Sequence, residues 1–141
     1  MTELDREAVR RRLALIAGSL ERLRSVEGMS VQEYRADWMR VKATERLLQE
    51  VVEAAVDINQ HLLRAGGGAP AGDYRQSFLE LGRAGVITAA LAETLAPSAG
   101  LRHRLVHEYD EIDDGIVLAS VADARRDFSK YLEAVEQYLA Q

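Results

Sequence analysis

Between Gly100 and Asp114 the chain reads GLRHRLVHEYDEIDD. Two arginines, two of the three histidines, a tyrosine and five acidic residues fall within these fifteen positions. Arg102 and His107 stand five apart, and Tyr109 follows two residues after the histidine. These side chains suit phosphate chemistry. A guanidinium grips phosphate oxygens with a fixed, charged fork, and an imidazole exchanges protons near neutral pH. The spacing alone is unspecific. With 16 Arg among 141 residues, an Arg five before a given His arises by chance roughly one time in nine.

Two plainer readings compete for the same residues. Arg102 and His107 could belong to an interhelical hydrogen-bond network with Glu or Asp partners. His103 and His107, four apart and so on one helix face, could ligate a metal with Asp110 or Glu111 as a third ligand, although two histidines beside acidic residues are a weak signal.

Composition narrows the classes. The length suits one domain, residues 1–141, with a real core, and 48% hydrophobic with 29% charged residues is ordinary for a globular protein. There is no cysteine, which removes disulfides and thiolate zinc sites and fits a cytoplasmic setting. The first residues hold no long apolar run, so no secretory signal or membrane span is expected. The net charge of −5 argues mildly against a broad nucleic-acid surface, but not against a local Arg cluster in a cleft. The preference for Arg (16) over Lys (2) is what a GC-rich genome produces without functional demand.

The elements that must position the motif all read as helices. Residues about 3–27 carry Val9, Leu13, Ile16, Leu20 and Leu23 on one stripe, with the Arg10–Arg12 run beside it as a solvated face. Ser30 and Glu33 form a capping-box pattern ahead of a long helix, about 31–64. Its apolar arc runs from Leu47 to Leu62, and its polar members Glu50, Asp57, Asn59 and His61 read as structural. The stretch AGGGAPAG, 65–72, breaks the helix; it lacks the Gly-Lys-Ser/Thr ending of a phosphate cradle and reads as a loop. Short helices follow at about 73–84, with Asp73 as N-cap, and 86–96. Pro97 and Ser98 open the helix carrying the motif, and a last helix covers about 115–140. The expected fold is all-α, an antiparallel bundle of four to five helices, with four of them long.

Taken in this order, the chain resembles HepT-like toxins of the HEPN superfamily, which are paired with a minimal nucleotidyltransferase antitoxin of the MntA type. The resemblance rests on TERLLQEVVEAAVDINQHLL in the long helix, YRQSFLELGRAGVI after the glycine loop, and above all GLRHRLVHEYDEID. The family signature, an Arg, four to six residues, a His, and in the HepT branch a Tyr two further on, is matched by Arg102, His107 and Tyr109. Where the family usually has Asn directly after the Arg, this chain has His103.

The resemblance implies a metal-independent endoribonuclease that acts as a homodimer, needs no cofactor and takes RNA, with tRNA the expected target. RNA supplies its own nucleophile, the 2′-hydroxyl. Arg102 would stabilise the charge building on phosphorus and His107 would exchange the proton, leaving a 2′,3′-cyclic phosphate and a 5′-hydroxyl. His103 and Arg104 are candidate auxiliaries. Residues five apart on an ideal helix point roughly 140° away from each other, so either the helix end is distorted near His107 or a two-fold dimer unites two motifs; the second is preferred. The resemblance also implies that Tyr109 is AMPylated by the antitoxin, whose negative charge and bulk would oppose RNA binding. Both Arg102→Ala and His107→Ala are expected to abolish cleavage at little cost in stability. The alternative function is a non-catalytic dimeric helical partner that binds and positions a nucleotidyltransferase or its substrate.

Overall fold

Helix α1 (Arg6–Leu23) starts where the Asp5 carboxylate accepts the Ala8 N–H at 2.9 Å, satisfying one of the free donors of the first turn. In the computed structural model, which describes residues 3–107 and 111–141, it is followed by α2 (Val31–Arg35), α3 (Trp38–Ala65), α4 (Tyr74–Arg83), α5 (Ala89–Leu95), α6 (Ser98–His107) and α7 (Asp114–Leu139). No strand forms among the described residues.

Three helices are long, α1, α3 and α7, and the short α4, α5 and α6 complete the bundle in place of a fourth long one. The expected single helix over 31–64 is two. The Ser30–Glu33 capping box opens α2, but the Asp37 side chain then accepts from the Met39 and Arg40 amides at 3.0 and 3.2 Å and starts α3 afresh. Helix α1 runs antiparallel to both other long helices. The Asp5 amide donates to His61 Nε2 at the end of α3, and Arg6 Nε donates to the Leu139 carbonyl at the end of α7.

The α1 stripe is buried as its spacing demands: Val9, Leu13, Ile16, Leu20 and Leu23 are each at most 5% exposed. The Arg10–Arg12 run stays at the surface, paired with Glu136, Glu7 and Asp57 at 3.4–3.7 Å. In the middle of the core, Asn59 of α3 joins three helices. It accepts from the Tyr131 hydroxyl at 2.6 Å and donates to Ser77 Oγ at 3.1 Å, and Ser77 donates to the Tyr74 carbonyl at 2.7 Å. Every polar group in that chain is satisfied, so it pins the rotation of α4 and α7 about α3 instead of weakening the core. Helices α4 and α5 approach so closely that a Cβ at Gly82 would lie 2.7 Å from that of Ala92. The glycine loop at 65–72 is tied back by Gln60, which brackets Ala71 with hydrogen bonds of 2.7 and 3.1 Å.

Candidate active site on helix α6

Helix α6 is held by two buried leucines, Leu101 and Leu105, one turn apart. That spacing fixes its rotation: the residue after Leu101 turns toward α3 and α4, while His103 and His107 form an exposed crest. The helix is described through His107, so the chain does not leave helical geometry ahead of that residue. Tyr109, the predicted modification site, lies outside the described residues, as does Asp110.

Arg102 reaches across to α3 and its Nη2 donates to Glu53 Oε2 at 2.8 Å, with the two side chains 21% and 31% exposed. The other Glu53 oxygen accepts from Gln49, one turn earlier on α3, at 3.1 Å. The guanidinium carbon lies 4.7 Å from the centre of the Tyr74 ring, a cation–π contact that supports the fork from α4. Arg102 Nε is shielded from solvent and has no acceptor among the described residues. Of the five N–H donors of an arginine, the Glu53 contact engages one. This face borders a hollow of about 340 Å³ lined by Tyr74, Arg75, Arg102 and His103 among others.

The His103 and His107 rings sit 4.7 Å apart, inclined at 46°. Among the described residues no group of three or more His, Asp or Glu side chains could hold a metal ion, and Asp110 is outside that set. His103 thus shares a hollow with Arg102 and a ring contact with His107, but no hydrogen bond or ring contact joins Arg102 and His107 within one chain. Arg104 turns to the opposite side of α6, where it lines a second hollow. Glu53 and Tyr74 are the partners that sequence reasoning missed. The polar residues it judged structural behave so: Glu50 pairs with Arg46 at 3.0 Å and Asp57 with Arg12 at 3.7 Å.

Comparison with known proteins gives the family to which this helical bundle, with its arginine and histidines on α6, belongs. A family profile described as "Ribonuclease HepT-like" matches residues 3–135. The chain belongs to this ribonuclease family. It is 37% identical over 139 residues to the tRNA nuclease HepT of Aphanizomenon flos-aquae, covering 99% of this chain and 95% of that protein. It is 28% identical over 125 residues to the mRNA nuclease HepT of Shewanella oneidensis, covering 89% and 93% respectively. Among solved structures, the tri-AMPylated Shewanella oneidensis HEPN toxin in complex with MNT antitoxin superimposes with a TM-score of 0.83 at 27% identity, covering 95% of this chain and 99% of that one. The helical architecture and the endoribonuclease class are thereby established for this chain. No helix of the described residues is long and apolar enough to cross a membrane.

Proposed function

We propose that this chain is the toxin of a HepT–MntA-type pair, a metal-independent endoribonuclease that uses Arg102 and His107. The observation that carries this reading is the state of Arg102. Its guanidinium is fixed by one hydrogen bond to Glu53 and by the Tyr74 ring, at the wall of a hollow. A rigid, partly desolvated cation of this kind stabilises charge that develops on a phosphorane without reorganising during the reaction. His107, exposed on the neighbouring crest, would take the 2′-hydroxyl proton as O2′ attacks phosphorus. A second histidine would return a proton to the departing 5′-oxygen.

That second histidine comes from a second copy of the chain in a two-fold homodimer, which also answers the divergence of Arg102 and His107 around α6. The apolar stripes of α1 and α7 are consumed inside one chain and supply no face for the dimer. Support comes instead from the α2–α3 junction and the start of α7, where Trp38, Met39 and Ile116 are 70%, 72% and 54% exposed.

The substrate is RNA, with tRNA placed first because the relative at 37% identity is a tRNA nuclease and the one at 28% an mRNA nuclease. Tyr109 is the regulatory site. The Shewanella toxin is tri-AMPylated in its complex with MNT antitoxin, which supports AMPylation as the regulation, and AMP on the toxin would add negative charge that opposes phosphate binding. The Arg102–Glu53 ion pair also favours a second reading, in which Arg102 is purely structural and the chain is a non-catalytic partner of a nucleotidyltransferase. Incubating the purified protein with bulk tRNA and with mRNA separates the two. The nuclease reading requires cleavage by the wild type and none by His107→Ala, whereas intact RNA in both supports the partner reading.

A further inference from the structure

The second hollow, on the Arg104 side of α6, has a volume of about 360 Å³ and lies between α3, α5, α6 and α7. Its floor is apolar, with Val51, Leu101 and Phe128, and its rim carries Arg104, Arg126 and Asp123. Arg126 is held in place by carboxylates, at 2.9 and 3.2 Å from the two Asp127 oxygens and 3.2 Å from Asp123 Oδ1. Asp123 Oδ2 and the Arg104 guanidinium have no hydrogen-bond partner among the described residues. An apolar floor, an adjacent donor–acceptor pair at the edge and a cation at the mouth suit the base and phosphate of a nucleotide. The floor takes the faces of a base, Arg126 beside Asp123 reads an edge with neighbouring acceptor and donor, and Arg104 takes a phosphate.

Position adds to the chemistry. Arg102 and Arg104 are two residues apart and leave α6 on roughly opposite sides, about 200° around its axis, with the His103–His107 crest between them. An RNA strand crossing the crest would meet Arg102 on one side and the second hollow on the other. We propose that this hollow is a subsite for one unstacked purine base of the RNA substrate, with Arg104 on the phosphate attached to it. The proposal rests on the ribonuclease reading for the identity of the ligand. A purine is specified because its two fused rings cover more of the apolar floor than a pyrimidine and stack on it over a larger area.

The test uses the intact protein and free nucleotides, so that binding is read without cleavage. Amide resonances are followed during titration with GMP, AMP, UMP and CMP, in the wild type and in Arg104→Ala and Ser120→Trp, the latter placing an indole in the hollow that Ser120 lines. The expected result is saturable shifts around Leu101, Ala124 and Phe128 with the purine nucleotides, at least several-fold weaker with the pyrimidine ones and lost in both variants. In RNA cleavage, Ser120→Trp is expected to raise KM about tenfold and to flatten the preference for purines near the cut. Equal shifts with all four nucleotides, shifts confined to the Tyr74–Arg75 hollow, or an Arg104→Ala variant that binds purines as the wild type does would each overturn the subsite. Purine binding by a protein that cleaves no RNA would leave the subsite standing and remove the ribonuclease reading. Cleavage without purine binding would do the reverse.

Discussion

Replacing Arg102 by alanine should cost stability as well as activity, and the structure sets the size of each loss. The Nη2–Glu53 ion pair spans 2.8 Å, but both partners keep 21–31% of their surface in water. After discounting for solvent screening it contributes about 0.5–1 kcal/mol. The guanidinium 4.7 Å above the Tyr74 ring adds about 0.5–1 kcal/mol. Arg102→Ala should therefore lower stability by about 1–2 kcal/mol, roughly 3–7 °C in Tm for a domain of this size. His107→Ala, at an exposed position, should stay within about 0.5 kcal/mol of the wild type. A thermal-melt double-mutant cycle of Arg102→Ala with Glu53→Gln should give a coupling energy of about 0.5–1 kcal/mol. On activity, loss of a transition-state donor of this kind costs about 100–1000-fold in kcat. Arg102→Lys should recover little of it, because an ammonium keeps the charge but not the planar fork. A Tm for Arg102→Ala equal to that of the wild type, or a coupling energy near zero, would refute the picture of an arginine fixed by Glu53 and Tyr74.

Three further outcomes are expected. Tyr109→Phe should remain an active nuclease yet escape neutralisation when incubated with the partner nucleotidyltransferase, ATP and magnesium, whereas the wild type should gain AMP at Tyr109, about 329 Da per unit by mass spectrometry; AMP on another residue would contradict the assignment. Light scattering at micromolar concentration should give the mass of a dimer, and a monomer would remove the two-motif site. The fold should also fail on the alkaline side. Burial pushes the Tyr34 hydroxyl up to about 12, with Glu45 and Asp114 acting in the same sense and the neighbouring Thr44 hydroxyl opposing them without hydrogen-bond geometry. Buried Tyr131 is raised likewise. A pKa raised in the folded state leaves stability intact below the unfolded value near 10 and removes it as pH rises toward 12, about 2–3 kcal/mol from Tyr34. Denaturant midpoints should fall across that window in the wild type and less in Tyr34→Phe.

What could be read from the chain and what could not divides along sequence distance. The α1 stripe, the Ser30–Glu33 box and the Asp73 cap are written in residues three or four apart, and each stands where its spacing put it. The break at Asp37 was missed because the apolar arc of α3 masks it, although the capping carboxylate is local. Leu101 and Leu105, one turn apart, set the buried face of α6 and leave His107 exposed, a relation local to the helix. The engagement of Arg102 is not local, because Glu53 lies 49 residues away, and Tyr74 on a third helix. The expectation that Arg102→Ala costs little stability therefore gives way to a cost of about 1–2 kcal/mol. In the same way, the divergence of Arg102 and His107 was foreseeable from helix geometry, while the presence of a hollow on each side of α6 depends on how five helices pack.

Arg102 and His107 must cleave RNA without a metal. The direct measurement is end-group analysis of RNA incubated with purified, unmodified protein in EDTA at a concentration on the order of 10 mM, a usual chelator excess. The prediction is fragments ending in 2′,3′-cyclic phosphate and beginning with 5′-hydroxyl, absent with His107→Ala although that variant melts like the wild type. Fragments with 5′-phosphate ends, cleavage abolished by the chelator, or full activity in His107→Ala would contradict it.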